Sequence, residues 1–179
     1  MSTSLNGKRV AILLTDGFEQ VEMTSPRDAL TAAGAIVELV APHPGEVTGW
    51  HHTDPGDSFQ VDRTLDQLSA ADFDALLLPG GVINADQIRS DGNAQKLVKE
   101  ADRSDKPIAV ICHGGWLLAS SKVVRDRNMT SWPSLRDDLS NAGANWVDQE
   151  VVVDGNLISS RKPDDLPAFN KALISALAA

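Results

Sequence analysis

The stretch KPIAVICHGGWLLA, residues 106–119, joins two apolar segments through a pair of glycines. The first segment, up to Ile111, is short and almost wholly apolar, which is typical of a strand buried on both faces of a parallel sheet. The second segment, from Gly115 onward, predicts a helix. The stretch therefore predicts a strand, a sharp turn and a helix, and the turn begins at Cys112, the only cysteine of the chain.

Strand-like and helix-like segments alternate through the rest of the chain. The strand-like runs include KRVAILLT (8–15), AIVELVA (35–41) and FDALLLPGG (73–81), and the helix-like segments include NAQKLVKEADRSD (93–105) and DDLPAFNKALISALAA (164–179). This alternation predicts an α/β fold whose mostly parallel sheet carries helices on both faces. In such sheets ligands bind beyond the carboxyl ends of the strands.

Three local predictions depend on turn and cap residues. SPRDALTAAG (25–34) predicts a helix that begins at Ser25, with Ser25 as N-cap and Pro26 at the first helical position. PHPGEVTGWHHTDPGD (42–57) is rich in Pro, Gly and His and predicts a surface loop. Asp154-Gly155 predicts the turn of a β-hairpin.

Composition limits the function classes. The 179 residues fit a single domain, 1–179, and the net charge of −9 argues against a nucleic-acid partner. One cysteine cannot form an internal disulfide, so we expect a reducing compartment, the cytoplasm. We also expect no signal peptide and no membrane partner, because no apolar run approaches the length of a membrane helix.

Cys112 admits two interpretations of about equal weight from its spacing alone. A free cysteine at the end of a core strand is often a small buried apolar residue. A strand, sharp turn and helix also hold the exposed nucleophile of α/β-hydrolases. There the amides at the start of the helix lower a thiol pKa and could hold an oxyanion. His113 follows directly, although adjacent side chains at a strand end point in opposite directions.

Glu19 is a second candidate, because TDGFEQVE (15–22) follows the first strand at the same edge of the sheet. A carboxyl group that faces Cys112 could share a proton with the thiol, which would keep the acid protonated and the cysteine reactive. Glu22 competes with Glu19 for this role. A solvated loop acid is the simpler interpretation of Glu19.

Metal and nucleotide sites are less favoured. His43, His51 and His52, with Asp54 and Asp57, could supply metal ligands, but solvated loop histidines are the favoured interpretation. PGGVINAD (79–86) matches neither the dinucleotide nor the Walker pattern. We expect no metal and no cofactor.

Several motifs together resemble the PfpI family, the intracellular-protease-like branch of a superfamily related to class I glutamine amidotransferases. They are DGFEQVEMTSPRDAL, DALLLPGGVIN, PIAVICHGGWLLA and the segment from TSWPSLRDDL to DDLPAF. The resemblance runs from Arg9 to the terminal helix. It implies a flavodoxin-like three-layer sandwich and a homo-dimer or higher homo-oligomer.

The same resemblance implies roles for individual residues. Cys112 matches the reactive cysteine on the nucleophile elbow, His113 the elbow histidine, and Glu19 the glutamate of the first loop. The backbone amides of Gly81 and His113 match the oxyanion site. In hexameric members an acid of a neighbouring subunit orients the histidine, and Asp86 is its nearest match, one residue out of step.

One residue departs from the family pattern. A proline usually follows ICHG, and this chain has Gly115 instead, which predicts a looser elbow.

The resemblance implies a stress-response cysteine-dependent hydrolase, acting on peptides or small carbonyl compounds as a peptidase, amidase, glyoxalase or deglycase. The alternative is a redox sensor or chaperone whose cysteine is oxidised without turnover. A third interpretation is a homologue in which the cysteine is simply buried.

Overall fold

Twelve strands form a central sheet of seven strands and two smaller sheets within residues 4–179, the part of the chain that this computed structural model describes. The strands are β1 (Arg9–Leu13), β2 (Phe18–Glu19), β3 (Ile36–Ala41), β4 (Glu46–His51), β5 (Asp54–Gln60), β6 (Arg63–Thr64), β7 (Ala75–Leu78), β8 (Ile108–Ile111), β9 (Asn128–Met129), β10 (Asn145–Trp146), β11 (Val151–Asp154) and β12 (Leu157–Ser160). The α-helices are α1 (Gln20–Ala32), α2 (Val82–Ile88), α3 (Gly92–Arg103), α4 (Gly115–Ser120), α5 (Arg136–Asn141) and α6 (Leu166–Ala178).

The central sheet has seven strands in the order β11-β12-β8-β7-β1-β3-β6, as far as residues 4–179 are concerned. All neighbours in it run parallel except β11, which pairs antiparallel with β12. Its five inner strands follow the flavodoxin-like order 2-1-3-4-5 when numbered among themselves along the chain. The predicted flavodoxin-like α/β fold is confirmed.

Two apolar cores fill the space between the sheet and its helices. On one face, Met23 of α1 and Phe169 of α6 pack with Ile12 and Leu77 of the sheet. On the other face, helices α3, α4 and α5 cover a second core. Each central strand is therefore buried on both sides, as the unbroken apolar runs predict. The result is a three-layer sandwich.

The segments that follow β1, β7 and β8 meet at one edge of this sheet. The chain order reverses between β1 and β7, which is where ligands bind in open α/β sheets. Cys112 follows β8 at that edge. The fold therefore brings the DGFE, PGG and CHGG segments together.

Helix α1 begins earlier than predicted. It starts at Gln20, so Ser25 and Pro26 lie inside the helix, and the predicted N-cap at Ser25 is wrong. Packing against α6 overrides the proline: Pro26 is buried, and Asn170 of α6 donates a hydrogen bond to Ser25 Oγ at 2.9 Å. The earlier start places Glu22 in the first helical turn.

The loop predicted at 42–57 is confirmed for residues 42–45 and is wrong from Glu46 onward. Strands β4 and β5 form an antiparallel hairpin from the Glu46–Gln60 pair to the His51–Asp54 pair, with an irregularity between Thr48 and Trp50. We call this hairpin, residues 46–60, the arm. Pro55 and Gly56 fit because they lie on its edge strand, where no further strand pairs within residues 4–179.

The hairpin predicted at Asp154-Gly155 is confirmed, since β11 and β12 pair antiparallel across it. No helix within residues 4–179 has the length and apolar character needed to cross a membrane.

Candidate active site

Cys112 lies on a strained turn between β8 and α4. Its φ is +60°, a left-handed conformation that non-glycine residues seldom adopt. The turn is tight: a side chain on Gly114 would lie 2.6 Å from the carbonyl oxygen of Leu78. Trp132 closes the turn from outside by donating its backbone N–H to the Cys112 carbonyl at 3.2 Å. This is the nucleophile elbow that the sequence predicts.

Three groups surround the Cys112 sulfur. His113 Nδ1 lies 3.2 Å from Sγ, so the histidine contacts the thiol despite being its neighbour in the chain. The backbone amides of Gly81 and His113 lower the pKa of the thiol and so favour its anionic form. These are the two amides that the family resemblance implies for an oxyanion site.

The His113 ring is held by two tryptophans. Its ring stacks on Trp132 at a centroid distance of 5.9 Å and meets the edge of Trp116 at 5.4 Å. Burial lowers the pKa of His113, so the imidazole is neutral at pH 7 and can accept a proton.

Glu22 is the carboxyl group whose charge acts on the pKa of Cys112. It is fully buried in the first turn of α1, and its Oε2 accepts a hydrogen bond from the Gly80 backbone at 2.8 Å. The pKa of Glu22 is raised to about 8: burial is the largest cause and the Glu19 charge adds to the rise, while the Gly80 amide and the Cys112 side chain oppose it. At pH 7 Glu22 is therefore a carboxylic acid beside the thiol.

The pair controls when a thiolate forms. Burial raises the pKa of the Cys112 thiol, and a charge on Glu22 raises it further, while the Gly81 and His113 amides lower it. Because the second cause disappears when Glu22 is protonated, the thiolate forms most readily while Glu22 keeps its proton.

Glu19 lies at the cavity wall instead. Its Oε2 accepts the backbone N–H of His52 at 3.1 Å, and its Oε1 lies 3.8 Å from His52 Nδ1. Glu19 thus connects the start of α1 to the tip of the arm.

A cavity of about 460 Å³ opens over the elbow. Residues of the loop after β1, the arm, the PGG turn and the elbow line this cavity. The lining residues are Gly17, Glu19, Glu22, Trp50, His52, Thr53, Gly81, Val82, Ile83, Cys112, His113, Trp132 and Pro163.

The DJ-1/PfpI family model matches residues 8–176, nearly the whole chain. The chain belongs to the DJ-1/PfpI family. A Bacillus subtilis protein named "Putative cysteine protease YraA" is 41% identical over 171 residues, covering 95% of this chain and 98% of its own. An Escherichia coli protein named "Protein/nucleic acid deglycase 2" is 41% identical over 173 residues, covering 96% of this chain and 99% of its own.

A solved structure supports the same family. It is a two-domain protein from Anabaena variabilis with DJ-1/ThiJ/PfpI-like and ferritin-like domains, and it superposes with a TM-score of 0.90 at 35% identity. The match covers 95% of this chain and 48% of that one, so this chain spans about half the length of that protein.

This DJ-1/PfpI chain holds a buried residue that the sequence did not single out. Asn84 is 1% exposed, accepts the Thr15 backbone N–H at 2.7 Å, and donates to the carbonyls of Pro79 and Gly80 at 3.2 and 3.0 Å. It therefore fixes the PGG turn, whose Gly81 amide faces the sulfur, against the segment after β1. No spacing rule signals this role.

One pattern in the sequence does indicate that Glu22 is buried. Glu22, Met23, Pro26 and Leu30 are the buried residues of α1, and their spacing follows one helical face. The proline obscures that face, because Pro26 is typical of the first position of a helix.

Two other groups of predicted residues lie away from the sulfur. Asp86 is exposed on α2 and does not line the cavity, and its role towards a neighbouring subunit stays a prediction. Within residues 4–179 no group of three or more His, Cys, Asp or Glu side chains could hold a metal ion. Among the loop histidines, His43 Nε2 instead lies 3.7 Å from Asp16.

Gly115 has helical angles, φ −57° and ψ −23°, and opens α4. A proline would adopt this φ as well. A side chain placed there would meet Leu139 at 3.4 Å, an ordinary contact distance.

Proposed function

We propose that the chain is a cysteine-dependent hydrolase that acts on peptide or small carbonyl substrates as part of a stress response. The observation that carries the proposal is the arrangement at Cys112. A single thiol on a strained elbow faces two backbone amides and a neutral imidazole, beneath an open cavity. Those are the parts needed for nucleophilic attack on a carbonyl.

In the first half-reaction His113 Nδ1, with its own proton on Nε2, takes the thiol proton. The Cys112 sulfur attacks the carbonyl carbon, and the oxygen becomes an oxyanion held by the Gly81 and His113 amides. With an aldehyde such as methylglyoxal, which has no leaving group, the oxyanion takes the proton from His113 and a hemithioacetal forms. With a peptide or amide, collapse of this intermediate breaks the bond to the leaving group, which receives the proton from His113. A thioester then links substrate and enzyme.

In the second half-reaction a water molecule replaces the leaving group. His113 accepts one water proton as the oxygen attacks the thioester, and the carbon–sulfur bond breaks. The proton returns to the sulfur and restores the thiol. Glu22 remains protonated throughout, so that no second buried negative charge opposes the thiolate.

The test is Cys112→Ser, assayed for loss of methylglyoxal and for cleavage of a peptide substrate. We expect both rates to fall by roughly a thousandfold or more, as when a nucleophile is removed from a catalytic triad. Asp57→Asn, on the outer part of the arm, is the control and keeps its rates. Unchanged rates in Cys112→Ser would contradict the proposal.

A redox sensor or chaperone is the second candidate, and protonated Glu22 favours it. In such a sensor the thiolate attacks one oxygen of a peroxide, forming a sulfenic acid as hydroxide leaves. A second peroxide converts this to a sulfinate, whose oxygen could accept the Glu22 proton in a hydrogen bond. Intact mass after mild peroxide should show two added oxygens. Absence of this species, in a protein that turns over substrate, would exclude the sensor role.

We also propose a homo-oligomer in which Asp86 serves a neighbouring subunit. Its exposure, and the lack of any carboxylate hydrogen bond to the His113 ring within residues 4–179, support this role. Light scattering after gel filtration should give a mass of at least two chains, and a monomer at micromolar concentration would contradict it.

A further inference from the structure

We infer that Glu19 selects substrates by charge, so that the cavity favours carbonyl substrates with a cationic group and disfavours anionic ones. The inference rests on the proposed function only in assuming that the molecules entering the cavity are substrates. The selectivity itself is a property of the cavity and can be measured at the Cys112 thiol without any turnover.

The cavity is lined by acidic side chains and by no lysine or arginine of the described residues. Its titratable lining residues are Glu19, Glu22, His52, Cys112 and His113. Glu22 is kept neutral by burial, and so is His113. Glu19 is therefore the one lining carboxyl left to carry a negative charge in neutral solution.

The Glu19 carboxylate is also fixed in place. Its side chain is 13% exposed, and the His52 amide holds Oε2 at 3.1 Å. His52 itself is 83% exposed, so its ring is largely in solvent. A fixed, partly desolvated charge acts more strongly on a ligand than a solvated one, because less water screens it.

The remaining walls strengthen this effect. Trp50, Val82, Ile83 and Trp132 present apolar or aromatic surface to the cavity. Apolar walls reduce dielectric screening, and tryptophan faces attract ammonium and guanidinium groups. The whole chain, with a net charge of −9, adds a field of the same sign.

The substrate class that fits is a peptide or a carbonyl adduct that carries an ammonium or guanidinium group near the reacting carbon. Neutral carbonyl compounds enter without preference. A 2-oxo acid, or a peptide with a carboxylate at that position, is repelled.

The test uses the fact that Cys112 is the only thiol. Its modification is timed at pH 7 and low salt with three methanethiosulfonate reagents of similar size: one with a trimethylammonium group, one with a sulfonate and one neutral. Each rate is divided by the rate for a small free thiol. We expect the cationic reagent to exceed the anionic one by about tenfold, an effect that shrinks as salt is added.

Two variants assign the effect. Glu19→Gln should bring the cationic-to-anionic ratio to within about twofold of unity. A change in the reactivity of the thiol itself alters all three rates alike and cancels in this ratio. Asp57→Asn removes an arm carboxylate that does not line the cavity, and should keep most of the preference.

A ratio near one in the unmodified protein, or equal ratios in the two variants, would overturn the inference. Failure of all three reagents to reach the thiol would also overturn it, since a closed cavity selects nothing. Failure of the proposed function looks different: charge selectivity would persist in a protein that hydrolyses no substrate.

Discussion

The elbow and the arm contribute to the same cavity in opposite ways. Around the elbow, Cys112, Glu22 and Asn84 are buried and are held by strand ends and backbone hydrogen bonds. The arm is a two-stranded hairpin, and it brings the exposed His52 and the half-buried Trp50 to the cavity. We therefore assign reactivity to the edge of the central sheet, and selection to the arm together with Glu19, whose carboxylate accepts the His52 backbone N–H.

The largest expected effect is at the elbow, in Gly80→Ala. The added methyl would lie 2.5 Å from Glu22 Oε2, 2.8 Å from Cys112 Cβ and 3.0 Å from the His113 nitrogen. We expect a loss of about 2–4 kcal/mol in the free energy of unfolding, and activity reduced at least a hundredfold. Urea unfolding and steady-state kinetics would measure both.

Gly92→Ala is the matched control, because a methyl there meets nothing within 4 Å. It lies in the first turn of α3 and should leave activity unchanged. If the two variants behave alike, the elbow is not as tightly packed as described.

Glu22→Gln should change how stability depends on pH. The native state keeps the Glu22 proton up to about pH 8, whereas the unfolded chain releases it near 4.5. Wild-type stability therefore falls through this window as pH rises, by a contribution on the order of 4 kcal/mol, which glutamine does not lose. The variant should gain relative stability between pH 5 and pH 8 in urea unfolding. If the free energy of unfolding depends on pH in the same way in both proteins, Glu22 is not a buried, protonated acid.

Trp50→Ala tests whether the arm affects substrate binding without affecting the reactivity of Cys112. Removing this wall of the cavity should raise KM by about three- to tenfold, while alkylation of Cys112 by iodoacetamide stays within about twofold. Gln60→Ala, at the far end of the arm, is the control. A large change in the alkylation rate would show that the arm also sets the reactivity of Cys112, which would contradict the separate roles assigned to the elbow and the arm.

The smallest expected effect is in Gly115→Ala. The backbone there is helical and the new methyl would make only an ordinary contact with Leu139. Alanine restricts the unfolded chain more than glycine does, so thermal unfolding should show a gain of about 0.4–1 kcal/mol. A loss of stability would mean that the elbow needs the freedom of glycine.

Much of the elbow could be predicted from sequence. Short, unbroken apolar runs are typical of strands buried on both faces, and their alternation with helices predicts the sheet edge where Cys112 lies. The choice of Glu22 over Glu19 is obscured in the sequence, because Pro26 is a typical first helical residue and only tertiary packing against α6 overrides that preference.

The arm could not be predicted, because its strands carry loop-like residues. Pro55 and Gly56 are tolerated in β5 only because it is an edge strand, and pairing with β4 depends on neighbours distant in sequence. The contact between Glu19 and His52 depends on that pairing, so it could not be predicted from the sequence either.

The most direct test of the account is the pH profile of Cys112 alkylation by iodoacetamide in the wild type, Glu22→Gln and Glu19→Gln. Because the charge on Glu22 raises the pKa of Cys112, the glutamine variant should form its thiolate at a pH lower by about one unit or more. The Glu19→Gln profile should shift less, because Glu19 acts on Cys112 through the pKa of Glu22. A shift in Glu19→Gln with none in Glu22→Gln would contradict the assignment of Glu22 as the acid that controls the thiol.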